Sequence, residues 1–248
     1  MTFRTIALAT LAAPLALGLA ACGSEDNTEA ALSGEPIAPI DAPAGAEWTE
    51  TVTVSDSDGY ILGNPDAPIK LIEYASLTCG ACANFAATGV EPLKNEYVSS
   101  GRVSYELRNQ VHNAPDLVLA RLVRCGAPES FHPLSDQVWA NLSQLLGGAQ
   151  ENGAQLEAAM QLPEDQRFAA AADAMGFLDF FSARGLSRDQ AQSCLADTDS
   201  VTAIAERSDQ QSQELGINST PTFILNGKVL EERSWTDLEP LLQQAGAR

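Results

Sequence analysis

Between Ile69 and Phe85 the sequence reads IKLIEYASLTCGACANF: an apolar run, a short polar turn, then two cysteines with two small residues between them. Ile69 to Ala75 is apolar except for Lys70 and Glu73, the pattern of a strand covered on both faces. Asn64-Pro65-Asp66-Ala67-Pro68 before it is turn chemistry. From Gly80 the periodicity changes: Ala81, Cys82, Phe85, Ala86 and Val90 fall at near-helical spacing up to Pro92. Leu93, Tyr97 and Val98 extend that helix beyond a kink at the proline, and Val103 to Leu107 is a second strand. Strand, helix, strand in this order is a βαβ unit, whose strands run parallel with a right-handed crossover. Cys79 therefore falls where a turn meets the helix, and Cys82 one helical turn further in.

The remaining elements are arranged around that unit. Trp48 to Val54 alternates as a first strand. Beyond Leu107 the pattern is helical: Asp116 to Cys125, Ser135 to Leu146, a segment around Leu156 to Met160, and Pro163 to Phe181. Ser187 opens a further helix with Gln190 as its capping-box partner, and Val201 to Leu215 stops at Gly216. Strand signal returns over Thr222 to Leu225 and Lys228 to Leu230, joined by Asn226-Gly227, the strongest short hairpin signal. Ser234 caps a last helix through Leu242. The expected fold class is α/β: βαβ, a helical insert over about residues 115–215, then ββα, with residues 48–248 as one folded domain.

Ahead of that domain, Met1 to Arg4 is a small positive segment, and Thr5 to Gly18 is an apolar run too short for an ordinary transmembrane helix. It ends in Leu19-Ala20-Ala21-Cys22, which resembles the lipobox of bacterial lipoproteins. That resemblance implies a signal peptide over residues 1–21 and lipidation at Cys22; the alternative is an ordinary signal peptide that leaves Cys22 a free thiol. Either implies export, and the lipobox implies the periplasmic side, anchored to a bacterial membrane, where disulfides persist. Residues 22–47 are rich in Gly, Ser, Pro, Ala and acids and read as a disordered tether, with an irregular packed arm over Pro36 to Ile40 as the alternative. Fourteen basic residues against 33 acidic give a net charge of −19, with no basic footprint for nucleic acid.

A cysteine at a helix N-terminus meets unpaired N–H groups and the positive end of the macrodipole, both of which favour a thiolate. Such positions and CxxC geometry lower a thiol pKa from about 8.5 into the range of roughly 3.5 to 7.5. Zinc would need two further ligands; there is no second CxxC, and His112 and His132 have no ligand-like spacing. A purely structural bridge across so short a loop stabilises little. The pair reads as redox-active, with no metal and no cofactor. Glu73 is either a strand-edge carboxylate in water or a buried acid beneath the cysteines, raised in pKa and able to relay a proton to Cys82. Pro221 is either a trans strand-start residue or a cis-proline that leaves the Thr220 backbone free to pair with a substrate strand.

The segments GNPDAPIKLIEYASLTCGAC, EYVSSGRVSYELR and GINSTPTFILNG, spread over about Gly63 to Ala245, resemble the DsbA-like branch of the thioredoxin superfamily. The resemblance implies a thioredoxin-like fold with a helical domain inserted between its halves, and a protein thiol:disulfide oxidoreductase. It implies Cys79 as the attacking cysteine, Cys82 as the resolving one, Glu73 as the buried acid and Thr220-Pro221 as the substrate-binding cis-proline turn. The implied partners are protein thiols and disulfides, and a membrane redox partner that resets the pair. The best-known oxidases of that branch carry Pro-His between the cysteines. Gly80-Ala81 offers no such side chain, so Cys79 is expected to be less acidic and the pair less oxidising. A reductase or isomerase working from the reduced pair stays open, as does a non-catalytic thioredoxin-fold binding lipoprotein. Cys125 and Cys194 remain, both in expected helices of the insert. In an exported protein they pair most simply, closing a loop of about 70 residues worth about 4 kcal/mol, or they are two separate buried thiols. Some DsbA-like proteins have a second disulfide in the helical domain. His112 and His132 are expected at the surface or in turns, and Phe131 and Trp139 in the core.

Overall fold

The computed structural model describes residues 34–248. The expected signal peptide over residues 1–21, Cys22 with its expected lipidation, and the expected tether up to residue 33 lie outside the described residues. Six strands form one sheet: β1 (Val52–Val54), β2 (Tyr60–Leu62), β3 (Ile69–Ala75), β4 (Val103–Asn109), β5 (Thr222–Leu225) and β6 (Lys228–Val229). Their spatial order is β1-β2-β4-β3-β5-β6. β3 and β4 are parallel, as the βαβ pattern requires, and every other pairing is antiparallel. β3 lies between β4 and β5, and both of its faces are covered: Leu71 and Ala75 enter the main hydrophobic cluster, while Ile72 and Tyr74 pack with Ile217 and Ile224 in a second one.

β1 falls at the end of the strand expected over Trp48 to Val54, whereas β2, its hairpin partner, has no counterpart in the sequence-based expectation. Trp48–Glu50 is a 3-10 turn rather than the start of a strand, and Ser55-Asp56-Ser57-Asp58-Gly59 makes the hairpin turn, with Asp58 left-handed at φ 60°. The helix after β3 also breaks earlier than Pro92. α1 (Gly80–Thr88) stops at Gly89, where a Cβ would meet the Phe85 ring at 2.8 Å and Trp235 at 3.0 Å. Pro92 sits in the turn Val90–Pro92, where a missing N–H costs little, before a π-helical segment Leu93–Val98.

Helices α2 (Ala114–Leu122), α3 (Phe131–Ala140), α4 (Leu142–Glu151), α5 (Gly153–Met160), α6 (Glu164–Ala174), α7 (Phe177–Ser182), α8 (Arg188–Ala196) and α9 (Thr198–Leu215) make the insert, and α10 (Trp235–Gln244) closes the fold. The run expected over Pro163 to Phe181 divides at Gly176, whose left-handed φ of 75° suits glycine. The Ser187–Gln190 capping box and the Gly216 stop form as expected. One hydrophobic cluster runs from Leu71 and Leu107 of the sheet through Phe131 and Val138 to Phe177, Phe181 and Leu195 of the insert. A polar clasp fastens the same joint. Arg124 pairs with Asp58 of the hairpin turn at 2.7 Å, donates to Asn109 at 3.0 Å, and lies over the Tyr60 and Phe131 rings. Arg207 of α9 reaches the same carboxylate of Asp58. No helix among the described residues is long and apolar enough to cross a membrane.

The expectation of a disordered tether does not hold over residues 36–40, which follow the packed-arm alternative. Gly34 and Ile37 donate to the carbonyls of Gln244 and Gly246, and Ile40 donates to Ser100, each at 2.9 Å. Trp48 closes the arm by donating to the Ile40 carbonyl at 2.8 Å. A Cβ at Gly101, held at φ 71°, would collide with that carbonyl. The reason is local: the arm's unpaired backbone groups meet complementary groups at the C-terminus and in the turn before β4.

Candidate active site

The loop Ser76-Leu77-Thr78 carries the chain from the end of β3 into α1, and the insert grips it from three positions. Trp139 of α3 donates its indole Nε1–H to the Ser76 carbonyl at 3.0 Å. Asp116 of α2 accepts the Leu77 N–H at 2.8 Å and the His112 N–H at 2.9 Å. Asn113 donates to the Thr78 hydroxyl at 3.1 Å. Burial pushes the Asp116 carboxyl up to about 6 despite these bonds.

The loop delivers Cys79 to the N-cap of α1, half-buried, with its Sγ accepting the Cys82 N–H at 3.5 Å. Cys82 is fully buried one turn in, and both thiols are free. Across from them the Thr220-Pro221 peptide is cis, and the Cys79 thiol lies 3.4 Å from the Thr220 carbonyl. Arg233 holds this turn from behind, donating to the Pro221 carbonyl.

Hydrogen bonding to the charged form dominates the electrostatics at Cys79. The Cys82 thiol contributes most, the Thr220 side chain and the N–H groups of Cys82 and Ala81 add to this, and together they outweigh burial and lower its pKa to about 5. The Thr220 Oγ1 is buried and has no hydrogen-bond partner at full bonding geometry, so its effect on Cys79 is that of a nearby dipole. Gly80-Ala81 adds no side chain to this environment, and the lowering comes from Cys82, Thr220 and the start of the helix. The missing histidine is replaced by groups from Thr220 and the helix start. Cys82 is driven the other way, its thiol held protonated by the bond it gives Cys79, by burial and by the charges of Glu73 and Cys79.

Glu73 lies fully buried on β3, not at an edge in water. Burial raises its carboxyl to about 8 against the opposing bond from Tyr105, with Asp136 and Cys79 raising it further. Tyr105 donates its hydroxyl to Oε2, and Oε1 has no hydrogen-bond partner. The structure thus brings Cys79, Cys82, Glu73, Thr220 and Pro221 together. Cys125 and Cys194 form a disulfide that joins the end of α2 to α8 within the insert. His132, expected at the surface or in a turn, is instead buried at 3% exposure, with Nε2 3.0 Å from the Tyr60 carbonyl and its pKa lowered to about 3 by burial. Among the described residues no cluster of side chains suits a metal ion.

Four residues around the site were not singled out from sequence: Tyr105, Asp116, Asn113 and Asp136. Tyr105 had a usable signal, since the parallel register sets Glu73 opposite Leu107 and so places Tyr105 one diagonal step away on the same face. The others come from helices whose docking no local pattern encodes.

A family model described as thioredoxin matches residues 55–244. The chain is 34% identical over 70 residues to a Rickettsia bellii protein named "Putative protein-disulfide oxidoreductase", an alignment covering 28% of this chain and 27% of that one. It thus spans about a quarter of the length of the curated relatives it matches. Among solved structures it is similar to a protein-disulfide isomerase from Novosphingobium aromaticivorans, with 29% identity and a TM-score of 0.68 over 74% of this chain and 94% of that one. It also shares its fold with alpha-DsbA1 of Wolbachia pipientis, with 20% identity and a TM-score of 0.61 over 76% and 91% of the two chains.

Proposed function

The chain belongs to the thioredoxin family matched over residues 55–244, and from that premise we propose that it is an exported thiol–disulfide oxidoreductase working on other proteins through Cys79 and Cys82. The observation that carries this is the split between the two thiols: Cys79 at a helix N-cap, lowered to about 5, and Cys82 buried behind it and held protonated. A binding module has no need of that polarisation. A low pKa makes Cys79 a good leaving group and keeps it ionised at neutral pH.

In the oxidised form a substrate thiolate attacks Cys79 Sγ. The Cys79–Cys82 bond breaks, and its electron pair goes to Cys82 Sγ, which takes a proton from Glu73. A second substrate thiolate then attacks the substrate sulfur bonded to Cys79, and Cys79 leaves as the thiolate. Two substrate thiols are oxidised, the cysteine pair gains two electrons, one proton stays on Cys82 and one goes to water. The Thr220 backbone beside Cys79 receives the substrate chain. A membrane partner carrying a disulfide resets the pair, and Cys22, following Leu19-Ala20-Ala21, attaches the protein to a bacterial membrane on the periplasmic side.

A second reading, a reductase or isomerase acting from the reduced pair, draws support from the isomerase named among the similar structures. The reduction potential separates the two. A value near about −120 mV marks a disulfide donor, and one near about −270 mV marks a reductase. The test of the whole reading is transfer of a disulfide from the oxidised protein to a reduced, unfolded substrate protein. Transfer that Cys79→Ser abolishes is the expected result; no exchange with any thiol would leave only a binding role. Fatty-acid labelling that is lost in Cys22→Ser tests the anchor.

A further inference from the structure

The pair Glu73–Tyr105 is buried at 0% and 1% exposure on adjacent parallel strands. The Tyr105 hydroxyl donates to Glu73 Oε2, while Oε1, equally buried, has no hydrogen-bond partner. A neutral carboxyl carries one proton on one of its two oxygens. With Oε2 already accepting a donor, the proton belongs on Oε1. We propose that Tyr105 is a positioning residue for disulfide exchange: by occupying Oε2 it fixes Oε1 as the single atom through which Glu73 gives a proton to the Cys82 sulfur and regains one. This rests on the oxidoreductase reading above and assigns an atom to one of its steps.

When the Cys79–Cys82 bond opens, the electron pair lands on Cys82 Sγ; Oε1 and that sulfur are not in hydrogen-bond contact, so the Oε1 proton reaches it by way of water. The carboxylate left behind keeps the Tyr105 donor, and a hydrogen bond to an ionised acceptor is about twice as strong as one to a neutral acceptor. Tyr105 therefore stabilises the product of the transfer more than its start. Its own hydroxyl does not ionise in competition, because burial and the Glu73 charge hold its pKa well above the ordinary tyrosine value. The carboxylate then regains a proton from water, with Oε1 again the receiving atom.

The charged and titratable groups that face Glu73 are few. From α1 they are Cys79 and Cys82, from β4 Tyr105, and from α3 Asp136, whose charge is felt at both Glu73 and Tyr105. From β5 the opposite residue is Phe223, which carries no charge. Asp136 itself is held up to about 6 by burial against the pull of Lys94, and both line a groove of about 520 Å³ between α1 and α3.

The test compares Tyr105→Phe, Glu73→Gln and the double variant by the pH dependence of the rate at which a dithiol reduces the Cys79–Cys82 disulfide. Tyr105→Phe is expected to move the Glu73 inflection upward from about 8, by about one pH unit, because the carboxylate loses a donor. Glu73→Gln erases the inflection, and adding Tyr105→Phe then changes the rate less than twofold. An unmoved inflection in Tyr105→Phe, or an equal slowing with and without Glu73, overturns the assignment. The infrared C=O band of the neutral Glu73 carboxyl, isolated by subtracting Glu73→Gln, gives a readout in the unaltered chain: it lies where a carbonyl accepts a hydrogen bond, and a free-carbonyl frequency overturns the proposal. Loss of exchange in every protein, wild type included, sinks the oxidoreductase reading instead, while the infrared band still decides on Tyr105.

Discussion

The indole N–H of Trp139 meets the carbonyl of Ser76 at 3.0 Å, so a helix of the insert holds the residue three places before the reactive Cys79. Trp139→Phe keeps the ring packing and removes one of the two donors to that carbonyl, the other being the Cys79 N–H at 3.2 Å. The expected cost is about 0.5–1.5 kcal/mol in denaturant unfolding, together with a rise in the Cys79 pKa read from the pH dependence of alkylation. A loss of stability with the thiol pKa unmoved would reduce the contact to a structural one.

Thr220→Val removes a buried hydroxyl dipole that lowers the Cys79 pKa. The thiolate absorbance of the reduced protein, titrated against pH, should show the midpoint moving up from about 5. The reduction potential should fall with it, because a less stable thiolate makes the reduced form less favoured. An unchanged midpoint would leave the Cys82 donor and the helix start as the whole cause.

Glu73 gives a pH dependence of stability whose sign is fixed by its raised pKa. Between about 4.5 and 8 the native carboxyl keeps its proton while the unfolded one loses it. Stability therefore falls as pH rises through this window. Glu73→Gln should flatten the profile and make the protein more stable than wild type at pH 8, by on the order of 3–5 kcal/mol, and nearly equal to it at pH 4. Parallel profiles for the two proteins would contradict the raised pKa.

The Cys125–Cys194 bridge closes a loop with a sequence separation of 69. Replacing both cysteines by alanine should lower unfolding stability by up to about 4 kcal/mol on the chain-entropy account, while Cys79 keeps its rapid, pH-dependent alkylation. A large fall in Cys79 reactivity would show that the bridge also shapes the active site.

Asp58→Ala strands Arg124, 7% exposed, without the carboxylate it pairs with. Breaking one side of a buried ion pair costs about 3–5 kcal/mol, which calorimetry would register as a marked drop in melting temperature. A drop no larger than that of an exposed pair would mean that Asn109 and the two aromatic rings hold Arg124 unaided.

The central βαβ unit and the terminal hairpin were legible in the sequence because their signals are local: a doubly covered strand, a helix begun at Cys79, and Asn226-Gly227. Glu73 stood out for the same reason, as a charge interrupting an apolar strand. The β1–β2 hairpin escaped because three-residue strands are too short to show a period, although Ser55 to Gly59 is dense in turn residues. His132 was misplaced because its burial depends on how α3 docks against β2, which no neighbour in sequence reports. The source of the Cys79 acidity was only partly legible for a related reason. Local sequence shows Gly80-Ala81, whereas part of the stabilising environment arrives from the Thr220 side chain, far along the chain.

The docked arm sets Gly34 against the last helical turn. Gly34 donates to the Gln244 carbonyl at 2.9 Å, and Arg248 returns a bond to the Gly34 carbonyl at 3.0 Å. The described fold is therefore nearly a closed loop of polypeptide, and the order in which its elements are joined is separable from their arrangement. A circularly permuted protein, with Arg248 linked to Gly34 through a few glycines and new ends opened in the Glu231-Glu232 turn or between α5 and α6, should regain the same sheet order and the same meeting of Cys79 with Thr220.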